Sequence, residues 1–205
     1  MKLNVKVEDI PFGTSIQEVA VPEVLKTKVP TGLTYFDDAL GGKGFTPSMV
    51  TLFIGTPGAG KTTMMLTLAN SIARSGNVAL FNTAEESLHQ IKMTTDRLRL
   101  RSSFLVGAET HVPTLLAGCD KIRAANPGKH FFLIVDSLQT LDDGYFNSGR
   151  ITSATAERAL QMLTNYAKEY AINVIVIGQV TKDGKMAGTQ KLKHMVDAMM
   201  ALDVE

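Results

Sequence analysis

Short apolar runs alternate along this chain with longer segments in which apolar residues recur every three or four positions. The runs lie at 50–54, 78–81, 131–135 and 172–177. Each has the length of a β-strand and is almost continuously apolar, which is typical of parallel strands covered by helices on both faces. Helical spacing is found at 65–73, about 86–97 and 156–170. The pattern predicts an α/β fold of βαβ units around a mostly parallel central β-sheet.

The first 28 residues differ from the rest of the chain. Pro11, Gly13 and Pro22 interrupt them, and their periodicity is weak, which is typical of an arm or a small cap. We therefore expect an N-terminal arm at 1–28 and one folded domain at 29–205. With 44% hydrophobic residues, the chain has enough apolar surface for such a core.

Composition excludes several classes of protein. The 21 Lys and Arg residues against 20 Asp and Glu residues leave a net charge of +1, so any site for a polyanion has to be local. The single cysteine, Cys119, forms neither an internal disulfide nor a cysteine-based zinc cluster. No apolar run approaches the roughly 18 residues of a membrane span, and the first residues, MKLNVKVEDI, lack the apolar run of a secretory signal. We expect a cytoplasmic protein without a membrane partner.

The segment GTPGAGKT at 55–62 matches the phosphate-binding loop pattern G-x-x-x-x-G-K-[ST]. An apolar run precedes it and an amphipathic helix begins near Lys61, which is the usual context of such a loop. Lys61 is expected to contact the β- and γ-phosphates, and the Thr62 hydroxyl to bind Mg²⁺. The expected nucleotide-binding residues are Gly55, Thr56, Pro57, Gly58, Ala59, Gly60, Lys61, Thr62 and Thr63. The alternative is a glycine-rich turn without a ligand.

Acidic residues follow the second and third apolar runs. The carboxyl ends of strands face the ligand in nucleotide-binding α/β sheets, so Asp136 is expected to orient the water shell of Mg²⁺ opposite Thr62. A carboxylate at Glu85 or Glu86 can activate the water that attacks a γ-phosphate. We favour Glu85 as the base, with Glu86 in the first turn of the next helix, where an acid interacts favourably with the helix dipole.

Gln179 follows the fourth apolar run and is expected to sense the γ-phosphate and to pass its presence to the next loop. That loop, at 181–194, carries four lysines, one aspartate and two glycines. It predicts a mobile basic loop or hairpin suited to a phosphate backbone, and an ordinary solvated loop is the alternative. The lysines are Lys182, Lys185, Lys191 and Lys193.

Two further basic regions have more than one interpretation. The first region consists of Lys92, Arg97, Arg99 and Arg101, with Asp96 among them. It is either the solvent face of a helix or a contact between subunits. The second is Arg150, a candidate for DNA contact or for the channel of a ring. The nearby Tyr145 and Phe146 can stack on bases, although a loop that packs its own aromatic residues is more common.

In this order the motifs resemble the RecA-type ATPase core, and most closely that of the bacterial RadA/Sms family. The resemblance begins with VPTGLTYFD at 29–37 and LGG at 40–42, the lead-in that RecA-like and KaiC-like proteins place before the phosphate loop. It continues through EESLHQIK at 85–92, VDSLQTL at 135–141, GQVTKDG at 178–184 and HMVD at 194–197. All of the chain except the N-terminal arm is covered.

The resemblance implies a RecA-like P-loop NTPase that forms a hexameric ring, binds single-stranded DNA and promotes branch migration or helicase-type movement in recombination and repair. It implies ATP and Mg²⁺ as cofactors, with Lys61 and Thr62 on the nucleotide and metal. Glu85 then activates water, Asp136 supports Mg²⁺ and Gln179 couples the nucleotide to DNA. The implied partners are single-stranded DNA, further copies of the chain and a replication or recombination protein. The resemblance also favours DNA as the ligand of the basic loop.

The sequence also departs from that family. RadA proteins normally have a four-cysteine zinc module, a Lon-protease-like domain and a Lys-Asn-Arg-Phe-Gly segment that supplies charges to a neighbour's nucleotide, and these 205 residues contain none of them. RadA usually has His at the position of Gln179, whereas RecA has Gln there, as this chain does. A RadA segment of Gly, Pro and a basic residue is replaced here by Gly188-Thr189-Gln190. We therefore expect that the positive charge supplied to a neighbouring subunit's nucleotide is missing here, is provided by another lysine, or comes from another protein.

Two other functions fit the same sequence. A KaiC-like signalling module would share the lead-in and the paired glutamates, and its ATP state would control docking to a protein partner. An ATP-gated accessory subunit would complete its site only together with a partner.

Overall fold

A six-stranded sheet forms the centre of the computed structural model, which describes residues 10–145, 151–179 and 189–202. The strands are β1 (Val50–Gly55), β2 (Val78–Thr83), β3 (Leu105–Gly107), β4 (Phe131–Asp136), β5 (Asn173–Gln179) and β6 (Ala198–Leu202). Their order is β3-β2-β4-β5-β1-β6, and every neighbouring pair is parallel. The predicted α/β fold with a parallel central sheet is confirmed.

Helices cover both faces of this sheet. They are α1 (Glu23–Lys26), α2 (Thr34–Ala39), α3 (Lys61–Arg74), α4 (Leu88–Arg97), α5 (Val112–Ala125), α6 (Ser153–Tyr170) and α7 (Thr189–Lys193), with 3-10 turns at Ile16–Glu18 and Leu138–Thr140. In the described part of the chain, no helix has both the length and the apolar character needed to cross a bilayer.

Successive residues of each strand pack into two separate cores, as the pleat requires. Leu133 and Val135 of β4 belong to the core beneath α5 and α6, whereas Phe132 and Ile134 belong to the core beneath α2, α3 and α4. All four side chains are fully buried. Since both faces are dry, the central strands are apolar at nearly every position, which is why their sequence signal is so strong.

Elements at the edges and between the central strands differ from the sequence-based predictions. Strands β3 and β6 and helix α5 were not predicted. β3 is only three residues long and largely exposed. β6, Ala-Met-Met-Ala-Leu, is apolar at every position but has none of the β-branched or aromatic residues typical of strands, and it is only half buried. Part of the predicted basic loop is also helical, because Thr189–Lys193 forms α7.

The start of α4 corrects the prediction for Glu86. Ser87 is the N-cap: its hydroxyl accepts a hydrogen bond from the Gln90 amide, and the Gln90 side chain accepts one from the Ser87 amide at 2.9 Å. This capping box fixes the first helical residue at Leu88. Glu86 therefore precedes the helix, and its predicted place in the first turn is wrong.

The N-terminal arm is anchored where it meets the domain. Val29 pairs with Phe45 in an isolated bridge, with two backbone hydrogen bonds of 2.8 and 2.9 Å. Before this anchor, from residue 10 onwards, none of the residues of the 3-10 turn or of α1 is buried. The boundary after residue 28 stays a prediction.

Candidate functional site

The glycine-rich loop lies between the carboxyl end of β1 and the amino end of α3. Gly58 and Gly60 have φ angles of 80° and 91°, in the left-handed region that side chains other than glycine rarely adopt. Gly60 is the N-cap of α3, so the loop curls around the end of a 14-residue helix whose first amides have no helical partner. Such a concave backbone with a positive helix end is suited to phosphate oxygens.

Lys61 folds back into the curve of this loop. Its ammonium donates hydrogen bonds to the carbonyl oxygens of Gly55 and Thr56, both at 2.8 Å, and the residue is only 8% exposed. Burial lowers the pKa of Lys61, while the negative charges of Asp136 and Glu85 oppose that shift. The result is one positive charge at the centre of the loop.

Thr62 and Asp136 connect α3 to the end of β4. The Thr62 hydroxyl donates a hydrogen bond of 2.6 Å to Asp136 Oδ2, and Asp136 is buried. Burial raises the pKa of Asp136, and the charges of Glu85 and Glu86 raise it further, whereas the Thr62 hydrogen bond and Lys61 lower it. The two oxygen atoms therefore lie side by side next to the phosphate loop.

A hydroxyl next to a carboxylate is the donor set that Mg²⁺ prefers. Among the described residues, no group of three or more His, Cys, Asp and Glu side chains could hold a metal ion by itself. Mg²⁺ usually keeps several waters and binds through one or two protein oxygens together with substrate phosphates. Thr62 and Asp136 fit that requirement.

Glu85 is held between the ends of two other strands. Gln179, the last residue of β5, donates from Nε2 to both Glu85 carboxylate oxygens, at 2.8 and 2.9 Å. The hydroxyl of Ser137, which directly follows β4, donates to Glu85 Oε1. Ser137 is fully buried, whereas Glu85 and Gln179 are exposed. This one carboxylate, which follows β2, is thus bonded to residues at the ends of β4 and β5.

Ser137 was not identified from the sequence. A serine after an apolar run carries no pattern of its own, but the register of the sheet explains its place. Thr83 of β2 lies opposite Asp136 of β4, so the residues that follow each of them meet above the same edge. Knowledge of which strands are neighbours would have found this contact, and a single sequence does not supply it.

Of the two adjacent acids, Glu85 makes the contacts at this edge. For Glu86 it is the backbone that forms hydrogen bonds. Thr83 Oγ1 donates to the Glu86 carbonyl oxygen at 2.8 Å and accepts from the Glu86 amide at 3.0 Å. The structure therefore brings five of the predicted site residues together at the carboxyl ends of the strands. They are Lys61, Thr62, Asp136, Glu85 and Gln179.

The predicted DNA-binding residues are placed only in part. Lys191 is exposed on α7 and forms an ion pair with Glu157 of α6, and Lys193 is also exposed. Arg150, Lys182 and Lys185 lie outside the described residues.

Comparison with known proteins places this site in a family context. Residues 29–101 match the model of a KaiC ATPase family. RadA, the DNA repair protein of Mycobacterium tuberculosis, is 38% identical over 178 residues, which cover 83% of this chain and 35% of that protein. RadA of Bacillus subtilis is 31% identical over 202 residues, covering 95% of this chain and 43% of that protein.

Solved structures show the same fold at lower sequence identity. One of them, an ATPase domain, superposes with a TM-score of 0.73 at 17% identity and covers 89% of this chain and 78% of that one. A DnaB-like replicative helicase gives a TM-score of 0.63 at 18% identity, covering 77% of this chain and 44% of that one.

Fold, loop and sequence together define a RecA-like P-loop ATPase core. Within that class, the chain is homologous to one segment of the bacterial RadA proteins. The resemblance found in the motifs is thereby confirmed. The chain spans about 35% to 43% of the length of the RadA proteins compared above.

The close approach of β6 to β1 generates a prediction about Gly55. A Cβ atom there would lie 2.7 Å from the Leu202 carbonyl oxygen and 3.4 Å from the Lys61 side chain. Gly55→Ala should therefore lower the free energy of unfolding by about 2 to 3 kcal/mol, measured by urea denaturation. In Gly58→Ala, the matched control, the Cβ meets nothing within 4 Å and only the left-handed backbone is strained, so about 1 kcal/mol is expected. Equal losses in the two variants would contradict the packing argument.

Proposed function

We propose that this chain hydrolyses Mg-ATP and uses that reaction to act on single-stranded DNA as a ring of identical subunits, as a RadA-like branch-migration or helicase-type motor. The proposal is carried by one observation: the carboxyl ends of β2, β4 and β5 meet beside the phosphate loop and are joined there by hydrogen bonds. Thr62 bonds Asp136 at 2.6 Å, and Glu85 beside them bonds both Ser137 and Gln179. Phosphate binding, metal binding and water activation need these groups in one place.

The loop residues 55–63 bind the phosphates of ATP in this mechanism. The amides of the loop and of the first turn of α3 donate to phosphate oxygens, and Lys61 exchanges its bonds to Gly55 and Thr56 for the β- and γ-phosphates. Thr62 and Asp136 would hold Mg²⁺, and the bound ion would neutralise negative charge on the phosphates.

Glu85 is the general base of the proposed reaction. Its carboxylate accepts a proton from water as the water oxygen attacks the γ-phosphorus, and the bond from that phosphorus to the β–γ bridging oxygen breaks, which leaves ADP and phosphate. Ser137 and Gln179 orient the carboxylate, because their hydrogen bonds fix both of its oxygens. Gln179 also begins the segment that leads to the basic loop, so its bond to Glu85 links the base to that loop.

Separate binding and turnover measurements test these assignments. Lys61→Ala should lose binding of a fluorescent ATP analogue, because the central positive charge of the loop is removed. Glu85→Gln keeps size and hydrogen bonding without a base, so binding should persist while turnover falls about 100-fold or more. Glu86→Gln is the matched control and should keep turnover within a few-fold. An equal loss in Glu86→Gln would show that Glu85 is not the base.

Ser137 is expected to act only through Glu85. Ser137→Ala removes one hydrogen bond to the carboxylate, worth about 1.5 kcal/mol or roughly a factor of ten in kcat, with KM for ATP nearly unchanged. A double-mutant cycle measures the coupling: Ser137→Ala should have less than about a twofold effect when Glu85 is already Gln. The same tenfold loss in both backgrounds would show that Ser137 acts on something else.

Support for a DNA substrate comes from the relatives and from the lysines. The RadA relatives are named DNA repair proteins, and the segment 181–194 carries four lysines and one aspartate. Lysines that neutralise phosphates release counterions from DNA, so binding should weaken as salt increases.

Single-strand binding at several salt concentrations tests the DNA assignment. Replacing Lys182, Lys185 and Lys191 with Ala should weaken binding to a labelled oligonucleotide and reduce the slope of log affinity against log salt by about 2. Ala at the exposed Lys43, Lys121 and Lys129 removes the same charge elsewhere and should leave the slope within about 0.5. Loss of affinity in both triple variants alike would indicate a general charge effect.

A KaiC-like signalling ATPase is the second candidate, favoured by the match of residues 29–101 to the KaiC family model. It would hydrolyse ATP at a rate that single-stranded DNA does not change. An ATP-gated accessory subunit would show no turnover until a partner protein completes its site. Turnover measured with and without single-stranded DNA separates the three functions.

A further inference from the structure

A cavity of about 330 Å³ opens at the end of the sheet opposite the phosphate loop. We call it the amino-end cavity, because Phe131, which begins β4, and Ile172, which directly precedes β5, both line it. Asp136 of the nucleotide site is at the other end of β4, about 17 Å from Phe131 along the strand. The cavity is therefore separate from the nucleotide site, and its volume is in the range of small-molecule sites.

The lining combines apolar and aromatic side chains with a few polar groups, which is the usual composition of a site for a small ligand. Its apolar side chains include Val24, Val29, Phe131 and Ile172. Tyr170, the last residue of α6, adds an aromatic ring, and the Arg123 guanidinium is stacked over that ring with 4.0 Å between its carbon and the ring centroid. A ligand in the cavity therefore meets a largely apolar surface with a flat cation beside it.

The charges of the lining leave one positive group without a counter-ion. Arg123 forms an ion pair with Asp120, 3.1 Å from Nη1 to Oδ1, and it also offsets the negative end of α5, in whose last turn it lies. Glu23, the one acid among the described lining residues, is paired with Lys26. Lys129 also lines the cavity and forms no ion pair within the described ranges. The cavity thus favours a ligand with one negative charge.

His130 adds a hydrogen-bond acceptor to the same lining. Its Nε2 lies 2.6 Å from Oδ1 of the fully buried Asn173, whose amide nitrogen donates to the carbonyl oxygens of Thr46 and Met49. Because these two bonds fix Oδ1 as the acceptor, Nε2 carries the proton. Burial lowers the pKa of His130, so the ring is neutral at pH 7. Nδ1 is then an acceptor, and none of the side chains that the structure describes donates to it.

We propose that the amino-end cavity binds a small aromatic monoanion that carries an N–H or O–H donor, such as an aromatic carboxylate. The ring of the ligand packs on the apolar lining, its negative group binds the ammonium of Lys129, and its donor bonds Nδ1 of His130. Because Val24 belongs to α1 and Phe131 to the sheet, the ligand also joins the arm to the domain. This site goes beyond the proposed ATP hydrolysis and does not depend on it.

Indole-3-acetate is a suitable probe, because it combines a flat ring, an N–H donor and a carboxylate. The chain contains no tryptophan, so indole fluorescence reports on the probe alone, and its anisotropy rises when the probe joins a molecule of 22.2 kDa. A probe of about 13 non-hydrogen atoms should bind with a Kd on the order of 1 mM or tighter. An anisotropy that stays at the value of the free probe at roughly 1 mM protein would overturn the proposal.

Two analogues of the probe test the charge and the donor separately. Tryptamine keeps the indole ring and its N–H but carries a positive amine, so it should bind at least about tenfold more weakly. Benzofuran-3-acetate has an oxygen in place of the N–H and leaves His130 Nδ1 unpaired. It should displace indole-3-acetate with an affinity about fivefold lower. An analogue that binds as tightly as indole-3-acetate contradicts the proposed ligand chemistry.

Two pairs of variants test where the probe binds. Lys129→Ala removes the unpaired charge and should weaken binding about tenfold, whereas Lys121→Ala, at an exposed lysine outside the lining, should keep the Kd within about twofold. Val24→Asp adds an acid to the lining and should also weaken binding about tenfold, whereas Val21→Asp, at an exposed residue of the same arm, should not. An unchanged Kd in Lys129→Ala or in Val24→Asp would show that the probe binds elsewhere.

Mg-ATP separates this proposal from the proposed function. Saturating Mg-ATP should leave the Kd of indole-3-acetate within about twofold, because the two sites lie at opposite ends of the strands. Displacement of the probe by ATP would place it in the nucleotide site and overturn the proposal. A chain that fails to hydrolyse ATP but binds the probe as described would contradict the proposed function alone.

Discussion

The hydrogen bond between Thr62 and Asp136 joins the two halves of the site, and the rest of the structure serves to make it possible. Thr62 belongs to the first turn of a helix fixed by the glycines of the loop, whereas Asp136 ends a buried strand in the middle of the sheet. Their 2.6 Å separation requires β1 and β4 to end at the same height, although β5 lies between them. A parallel sheet provides this because its carboxyl ends share one edge.

The two cores hold that edge in place. β4 and β5 are apolar on both faces, so any tilt of these strands would open contacts with helices above and below. The polar groups of this part of the site lie at the ends of the strands or in the first residues after them, where Asp136, Ser137 and Gln179 form hydrogen bonds to other elements. The buried core therefore ends at the carboxyl ends of the strands, where the site residues begin. Gln179, the exposed last residue of β5, lies at this boundary.

The contrast between buried strands and polar strand ends explains which parts of the structure could be predicted from the sequence. The central strands and the phosphate loop were predictable because double-sided burial and a fixed loop geometry each impose a pattern on consecutive residues. β3 and β6 were not predicted, because β3 is only three residues long and β6 is a short run of Ala, Met and Leu without β-branched residues. Ser137 was missed and Glu86 misplaced for other reasons. The Ser137 contact depends on which strands are adjacent, which a single sequence does not show. The start of α4 depends on the Ser-x-x-Gln capping box at 87–90, a sequence signal that the apolar pattern does not contain.

The charges at the site constrain how it can work. Lys61 is the one positive group among the site residues. Its charge interacts with the carboxylates of Asp136 and Glu85, and Glu86 adds a further negative charge that acts on Asp136. A triphosphate brings further negative charge into this partly buried edge, where the effective dielectric is low and repulsion is large. A divalent cation held by Thr62 and Asp136 would offset part of this repulsion, and a positive group from outside the loop would offset more as charge moves to the leaving phosphate. The excess of acid over base within one chain's site is thus a physical reason for the site to require additional positive charge when a triphosphate binds.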